Sequence, residues 1–288
     1  IENIPFNDPF LLKDMDKAVA RIERAINNKE RVCIYGDYDV DGATDVVLVY
    51  SYLKPHFGED NIDYYIPDRY DEGSGISQKG IDYAAERGLS LIIALDCGIK
   101  AVSSVEYAKQ KGIDVIICDH HTSDGILPDA VACLDPKRSD CHYPDKNLSG
   151  CGVGFKLVQA YSQRYGVPFE SLVPLLDYLV VSIASDLVSV VGENRILAHY
   201  GLKQLNEHPR AGLLAMITLS KIELGHITID DIVFKIGPRI NAAGRMESGR
   251  LAVELLTATD LDAATAIGEK INENNNDRKS IDREITQE

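Results

Sequence analysis

The sequence has few of the features that mark membrane proteins or disulfide-bonded secreted proteins. Its apolar runs, such as the one from Leu175 to Ala184, are too short to span a bilayer, and no charged-then-apolar leader opens it. Its six cysteines form no C-x-x-C pair, and most lie in or beside apolar runs, where a free thiol behaves as a small hydrophobic group. These absences predict a cytoplasmic protein with no membrane partner.

Positive charge is also scarce. The chain has 30 Lys and Arg against 45 Asp and Glu, which gives a net charge of −15 at pH 7. Phosphate binding normally shows as a basic surplus, so this balance argues against a chain that coats nucleic acid by bulk electrostatics. A polyanionic partner would have to be held locally, by bound divalent cations or by basic surface outside this sequence.

Two common catalytic motifs are missing as well. The sequence contains no Gly-x-Ser-x-Gly elbow and no Walker A pattern. The glycine-rich run 150–154 resembles a phosphate loop only loosely. It favours a helix that begins close against its neighbour over a phosphate contact.

The first half of the sequence alternates between short apolar runs and helix-length segments. The predicted strands are at 31–36, 62–66, 91–95, 115–118 and 130–134, and helices are predicted at 12–27, 44–56, 77–87 and 101–111. This alternation predicts an α/β fold with a doubly wound, mainly parallel sheet.

After about residue 150 the pattern becomes helical. The predicted helices are at 154–165, 173–185, 193–205, 251–257 and 261–272, with a Gly-Pro break at 237–238 and a solvated helical tail from 273. We therefore predict an α/β domain over residues 1–200 and a helical connector over residues 201–288. The sequence starts without Met and stops inside a polar helical pattern, so we expect a longer protein.

Three aspartates, Asp37, Asp39 and Asp41, follow the first predicted strand at alternate positions. In extended backbone, residues two apart face the same side, so their charges would crowd together. Oxygen-rich clusters of this kind suit Mg²⁺ or Mn²⁺. The alternative is that one aspartate caps the helix predicted near Thr44 and the others are solvated, which explains one aspartate better than three.

Polar residues also end two later strands. Asp96 follows the run 91–95, and Asp119, His120 and His121 follow the run 115–118. The carboxyl ends of parallel strands open into one crevice, so these groups are expected to converge with the three aspartates. Taken singly, Asp96 could instead cap a helix, and the histidines could be an exposed pair at a loop entrance.

Asp186 lies in an otherwise apolar segment. A buried carboxylate there needs a partner, which could be a metal, a helix end or an arginine such as Arg195. Five acidic groups and one imidazole together fit a binuclear site that activates a water and clamps phosphoryl oxygens. The predicted chemistry is hydrolysis at phosphorus.

In this order, these motifs resemble a known family. The run 37–42, Asp96, the triplet 119–121 and Asp186 resemble the four successive motifs of the DHH phosphoesterases. The segment 237–246 resembles one that distinguishes the bacterial single-strand-specific exonucleases of this family, and residues 8–15 resemble the lead-in of that branch. The resemblance spans almost the whole chain.

The resemblance implies which residues hold two Mn²⁺ or Mg²⁺ ions. Asp39 and Asp96 would hold one ion. The second ion would be held by Asp41, Asp96, His120 and Asp186. Asp96 would therefore bridge the two ions, in a DHH catalytic domain over residues 1–200.

The resemblance also implies catalytic and DNA-binding residues. His121 would stabilise charge on the scissile phosphate or its leaving group, and Asp37 would support or join the first metal shell. Arg69, Asn241 and Arg245 would contact DNA phosphates, as guanidinium groups suit that role. For the two arginines, a surface or structural ion pair is the alternative.

Two residues depart from the family pattern. Asp45 adds a fourth carboxylate one helical turn past Asp41, where a small residue is usual, and we expect it to increase repulsion. Ser74 stands where an aromatic residue is frequent. Neither residue is among the expected ligands.

The function implied is 5′-to-3′ hydrolysis of single-stranded DNA in repair and recombination, with single-strand-binding protein and a helicase as expected partners. A second, phosphate-binding domain would follow the connecting helix outside this sequence, so we expect weak or distributive activity without it. The alternatives are a DHH phosphodiesterase or pyrophosphatase acting on small nucleotides, and a non-catalytic DHH-like replication scaffold. Asn241 and Arg245 argue against the first, and the full ligand set argues against the second.

Overall fold

The structure is a computed structural model that describes residues 5–186, 188–246 and 249–287. Within these residues, five parallel strands form one sheet in the order β2-β1-β3-β4-β5. The strands are β1 Val32–Tyr35, β2 Ile62–Tyr65, β3 Leu91–Leu95, β4 Asp114–Cys118 and β5 Ala132–Leu134. The predicted doubly wound parallel sheet is confirmed.

Helices cover both faces of the sheet and continue beyond it. The first group comprises α1 Met15–Asn27, α2 Val40–Phe57, α3 Gln78–Glu86, α4 Val102–Gln110, α5 Gly150–Arg164, α6 Leu176–Ser185 and α7 Gly192–Glu207. The second comprises α8 Ala211–Leu219, α9 Ile229–Asp231, α10 Gly237–Gly244, α11 Arg250–Thr257 and α12 Leu261–Gln287. Short 3₁₀ segments lie at Pro9–Leu11, Glu59–Asn61 and Phe169–Leu175. In the described part of the chain, no helix is both long and apolar enough to cross a membrane.

Side chains of the strands alternate between two apolar layers, as the pleat of a sheet requires. Val32 and Ile34 pack in the larger layer, against α1, α2, α5 and α6. Cys33 and Tyr35 face the smaller layer, beneath α3 and α4. All six cysteines are free and buried, which agrees with their prediction as small hydrophobic groups.

The larger apolar layer continues past residue 200 without a gap. Leu213 of α8, Ile240 of α10, Leu251 of α11 and Ile271 of α12 belong to the same buried cluster as the sheet residues. The division at residue 200 therefore stays a prediction. α12 runs as one helix from the predicted segment into the predicted solvated tail, and its last part is exposed.

Helix α2 begins four residues earlier than predicted, at Val40 instead of Thr44. Asp39 is its N-cap, and its side chain accepts a hydrogen bond from Gly42 N at 2.7 Å. The aspartate run is therefore not extended throughout, because Asp41 lies in the first helical turn. A capping side chain that satisfies an orphan N–H outweighs the strand-like spacing.

The Gly-Pro step predicted to break the chain lies inside a continuous helical segment. A π-helical turn, Ile232–Ile236, leads directly into α10, and Pro238 lies in the first turn of α10. Proline is tolerated there because its missing N–H is not needed at a helix start. The widened turn takes the place of a break.

Candidate metal centre

The polar strand ends meet at one edge of the sheet. β1 and β3 are neighbours, although the chain passes through β2, on the outer side of β1, between them. At such a reversal the connections diverge and leave a crevice at the carboxyl ends of the strands. Asp37, Asp39, Asp96 and His121 line a cleft of about 650 Å³ there. The expected convergence of these residues is present.

Three carboxylates surround one imidazole nitrogen at this edge. His120 Nε2 lies 2.9 Å from Asp96 Oδ1, 3.6 Å from Asp41 Oδ2 and 3.7 Å from Asp186 Oδ2. We call these four residues the His120 cluster. Within the described residues, His120 Nε2 and Asp96 Oδ1 are buried without a hydrogen-bond partner, because their close approach lacks hydrogen-bond geometry. Buried polar atoms aimed at a common point are what a bound cation would join.

The carboxylates are hard to ionise together. Burial raises the pKa of Asp96 well above its usual range, and the charges of Asp41 and Asp39 add to this effect. Burial, followed by repulsion from Asp41, raises the pKa of Asp186 to about 8. For Asp37, burial and then repulsion from Asp39 raise the pKa to about 6. A nearby positive charge would relieve this repulsion.

The donor set fits a hard divalent ion. Burial lowers the pKa of His120, which leaves the neutral imidazole that metal ligation requires. Carboxylate oxygens with one imidazole suit Mn²⁺ or Mg²⁺ better than a thiolate-binding metal. The cap and metal interpretations of the aspartate run are compatible for Asp39, because only its Oδ1 accepts the hydrogen bond from Gly42 N.

Asp41 is held by groups from distant parts of the chain. Its oxygens accept hydrogen bonds from Gly150 N and Cys151 N, each at 2.8 Å, and from Ser182 Oγ at 2.6 Å. Two of these donors are orphan N–H groups at the start of α5, where a negative charge is favourable. The sequence analysis missed Ser182, and no local signal marks a serine that acts 141 residues away.

The glycines at the start of α5 allow this approach. A Cβ at Gly150 would lie 2.5 Å from Asp96 Oδ1 and 2.9 Å from Asp41 Oδ2. The glycine-rich run therefore brings a helix start against its neighbour, as predicted. Its N–H groups bind the carboxylate of Asp41.

Asp96 connects the cluster to the sheet. Its N–H continues the strand pairing by donating to Cys118 O at 2.9 Å. Its φ is +57°, a left-handed conformation that costs most non-glycine residues energy and that aspartate tolerates better than most.

His121 is paired with a buried carboxylate. Its Nδ1 lies 2.6 Å from Asp119 Oδ1, while Asp119 Oδ2 accepts from Ile99 N at 3.0 Å. The hydrogen bond that His121 Nδ1–H donates to Asp119 raises the pKa of His121 and favours the imidazolium. The side chain of His121 is 56% exposed, so this charge lies at the open side of the cleft. The sequence analysis gave Asp119 no role, although a carboxylate two residues before a histidine is a readable signal.

Asp45 lies beneath the site. It is fully buried, and neither of its oxygens has a hydrogen-bond partner among the described residues. Burial, with a further contribution from Asp41, raises its pKa well above the usual range, so the group is held neutral. A Cβ at Gly154 would lie 1.9 Å from Asp45 Oδ1, so this glycine makes room for the carboxyl. Ser74, the other departure, lines the cleft.

The predicted DNA-binding residues lie beside the cleft rather than in it. Asn241 and Arg245 line a second cavity, of about 370 Å³, and Arg69 lines a third, of about 800 Å³, together with Arg245. The Arg69 guanidinium lies 5.3 Å from the ring centre of Tyr38, which borders the cleft. In the part of the chain that is described, neither arginine forms an ion pair.

Comparison with known proteins gives relatives along nearly the whole chain. It is 40% identical to the single-stranded-DNA-specific exonuclease RecJ of Bacillus subtilis over 283 residues, which are 98% of this chain and 35% of that protein. It is 32% identical to RecJ of Escherichia coli over 281 residues, or 94% of this chain and 48% of that protein. The chain thus spans between about a third and a half of the length of these relatives.

Solved structures share the fold. A crystal structure of exonuclease RecJ bound to manganese matches with a TM-score of 0.86 and 27% identity, covering 96% of this chain and 69% of the other. RecJ from Thermus thermophilus in complex with Mn²⁺ matches with a TM-score of 0.83 and 26% identity, covering 96% and 39%. The model of the DHH family, N-terminal domain, matches residues 31–183, which are 153 of the 288 residues. The chain therefore belongs to the DHH family, as its motifs predicted.

Proposed function

We propose that this chain is a metal-dependent phosphodiesterase that degrades single-stranded DNA from the 5′ end, in DNA repair and recombination. One observation carries the proposal: three carboxylates surround the unpaired His120 Nε2 at the reversal point of the sheet. Relatives named single-stranded-DNA-specific exonuclease, and RecJ structures that hold Mn²⁺, support the substrate and the metal.

The proposed ligands divide into two sets that share Asp96. Asp39 and Asp96 would hold one ion, and the His120 cluster would hold the other. When bound, such ions would supply an activated water and polarise the phosphoryl oxygens. The chain keeps these ligands in place through its own contacts, since α5 and Ser182 fix Asp41 and the strand pairing fixes Asp96.

His121 is proposed as the acid beside the metal site. Asp119 holds its Nδ1 and favours the protonated ring. The ring can therefore donate a proton to the leaving oxygen, or stabilise negative charge on the scissile phosphate. Asp37 is proposed to support the first metal shell, since its Oδ1 is fixed by the hydrogen bond from Tyr38 N at 2.8 Å.

Degradation of end-labelled DNA tests the proposal. With Mn²⁺, we expect 5′-labelled single strands to lose labelled mononucleotide first, while 3′-labelled strands shorten stepwise and duplex DNA is spared. Dinucleotides and pyrophosphate are run in parallel. Hydrolysis of those small substrates alone would point to a small-nucleotide phosphodiesterase, and hydrolysis of none would point to a scaffold.

We also propose that the protein acts in the cytoplasm, where its six buried, unpaired thiols would stay reduced. Association with single-strand-binding protein and a helicase stays a prediction from the family resemblance.

A further inference from the structure

Two adjoining cavities between α10 and α12 form one groove beside the metal centre. The cavity of about 370 Å³ and the cavity of about 800 Å³ share Ala242 and Arg245 of the α10 region and Asn275 and Arg278 of α12. We call them together the α10–α12 groove. It is a continuous surface that the cluster of metal ligands does not use.

The groove contains buried polar atoms without partners. Arg245 Nε, Asn275 Nδ2 and Ser185 Oγ all line the smaller cavity, and none makes a hydrogen bond within the described residues. The side chain of Asn275 matters most here, because the residue is only 7% exposed. Each of the three atoms can donate a hydrogen bond, and none of them has an acceptor among the described residues.

The charge of the groove is opposite to that of the chain. The smaller cavity is lined by three cationic residues, Arg245, Arg278 and Lys279, and by one acidic residue, Asp282. Asp282 Oδ2 lies 3.9 Å from Arg278 Nε. The larger cavity adds Arg69 and Lys270 and one further acidic residue, Asp277. On a chain with a net charge of −15, this is a local excess of cations, as a phosphate site requires.

The groove begins next to the metal centre. Ser185 directly precedes Asp186 of the His120 cluster. The π-helical turn brings α10 to this point, and a Cβ at Gly237 would lie 2.8 Å from Ser185 Oγ. A strand with one phosphate at the metal centre would therefore pass its next phosphates along the groove.

We propose that Asn275 and Arg278 of α12, together with Ser185 and Arg245, bind a non-scissile phosphate of the DNA strand. This rests on the proposed function and assigns α12 a direct role in holding substrate. The acceptor oxygens of a phosphodiester satisfy the three unpaired donors, and the guanidinium groups neutralise its charge. Because the contact is to a phosphate and not to a base, it is independent of base sequence.

Oligonucleotides with one neutral methylphosphonate linkage test the proposal. The neutral linkage is moved one position at a time from the cleaved end, and the first cleavage with Mn²⁺ is followed. For the wild type, we expect one interior linkage whose neutralisation raises KM about tenfold, equivalent to the loss of one charged hydrogen bond. Asn275→Leu and Arg278→Met should lose sensitivity at that linkage alone.

Matched variants on the same helix control for general effects. Asn276 and Arg283 are exposed and do not line either cavity, so Asn276→Leu and Arg283→Met should keep the wild-type profile. Asn275→Leu should also raise the melting temperature without DNA, because an unpaired buried amide is removed.

The outcomes separate this proposal from the proposed function. If the wild type cuts single strands but Asn275→Leu and Arg278→Met keep its linkage profile, the groove proposal is wrong and the function stands. If nothing is cut, the same series is measured as binding affinity with Ca²⁺. Linkage-specific loss of affinity would then support the groove without the nuclease, and absence of binding would overturn both.

Discussion

The His120 cluster and the α10–α12 groove are adjacent, but their chemistry is opposite. In the cluster, buried carboxylates crowd around His120 Nε2, and the unpaired atoms there are acceptors that call for a cation. In the groove, the unpaired atoms are hydrogen-bond donors, one of them on Arg245, and Arg278 lies beside them. This arrangement suits an anion. A chain with a net charge of −15 can hold a polyanion where cationic side chains are concentrated locally, and the groove is such a place.

The largest change in activity is expected from loss of the proposed proton donor, His121. His121→Ala should lower kcat by about 10²- to 10⁴-fold, the range for a general acid. Asp119→Asn removes the hydrogen bond that raises the pKa of His121. Because His121 acts while protonated, activity falls as pH rises through its pKa, and in Asp119→Asn this fall should begin at lower pH. The pH profile of kcat measures it.

The exposed Asp124 provides the control, and Asp124→Asn should keep the wild-type profile. Coincident pH profiles for wild type and Asp119→Asn would remove His121 from proton transfer. The contrast between the cluster and the groove would then rest on metal binding alone.

A smaller change should follow loss of support for a metal ligand. Ser182→Ala removes the 2.6 Å hydrogen bond to Asp41. The affinity for Mn²⁺ should fall by about 10- to 100-fold, as expected for an outer-shell partner. Calorimetric titration measures it, with Ser171→Ala at an exposed serine as the matched control. Equal affinity in both variants would show that α5 alone holds Asp41.

A substitution in the groove should affect DNA binding and leave metal binding unchanged, whereas a substitution near the cluster should affect metal binding. Arg245→Met should raise KM for single-stranded DNA about tenfold while the affinity for Mn²⁺ is unchanged, because it removes one charged phosphate contact. The slope of the logarithm of DNA affinity against the logarithm of salt concentration should become less steep by about one, as expected for the loss of one phosphate contact. The exposed Arg195 allows a control, since Arg195→Met should change neither quantity. A loss of Mn²⁺ affinity in Arg245→Met would contradict the assignment of metal binding to the cluster and phosphate binding to the groove.

The remaining effect is expected on stability and not on activity or binding. Burial raises the pKa of Asp45 in the folded state, so its favourable contribution is complete below the unfolded pKa and is lost as pH rises towards the folded pKa. Asp45→Asn has no such loss. Its free energy of unfolding should therefore exceed that of the wild type increasingly from pH 4 to pH 8, by about 1.4 kcal/mol per pKa unit. Urea unfolding at several pH values measures this gap, and a constant gap would mean that the pKa of Asp45 is the same in the folded and unfolded states.

The sequence predicts the parts of the site that depend on strand ends. Asp37, Asp96 and His120 each follow an apolar run, and parallel pairing brings such ends together whatever the loops do. The start of α2 was wrong by four residues because the cap made by Asp39 is decided by a hydrogen bond, which spacing does not reveal.

The remaining features depend on contacts between distant segments. Ser182 reaches Asp41 through the packing of α6 against α2, and Asn275 lines the same cavity as Ser185 because α12 packs against α10. No periodicity encodes such approaches. The groove was thus visible in the sequence only as Arg69, Asn241 and Arg245, which were identified through family resemblance.

Titration of the metal-free protein with Mn²⁺ at pH 7 tests the central claim most directly. Calorimetry in two buffers that differ in ionisation enthalpy gives both the stoichiometry and the protons released. We predict two ions per chain with release of protons, because Asp186, with a pKa of about 8, must ionise on binding. Asp96→Ala should abolish tight binding, and Asp124→Ala should not. Mn²⁺ binding that persists in Asp96→Ala, or that releases no protons, would contradict a metal centre at the His120 cluster.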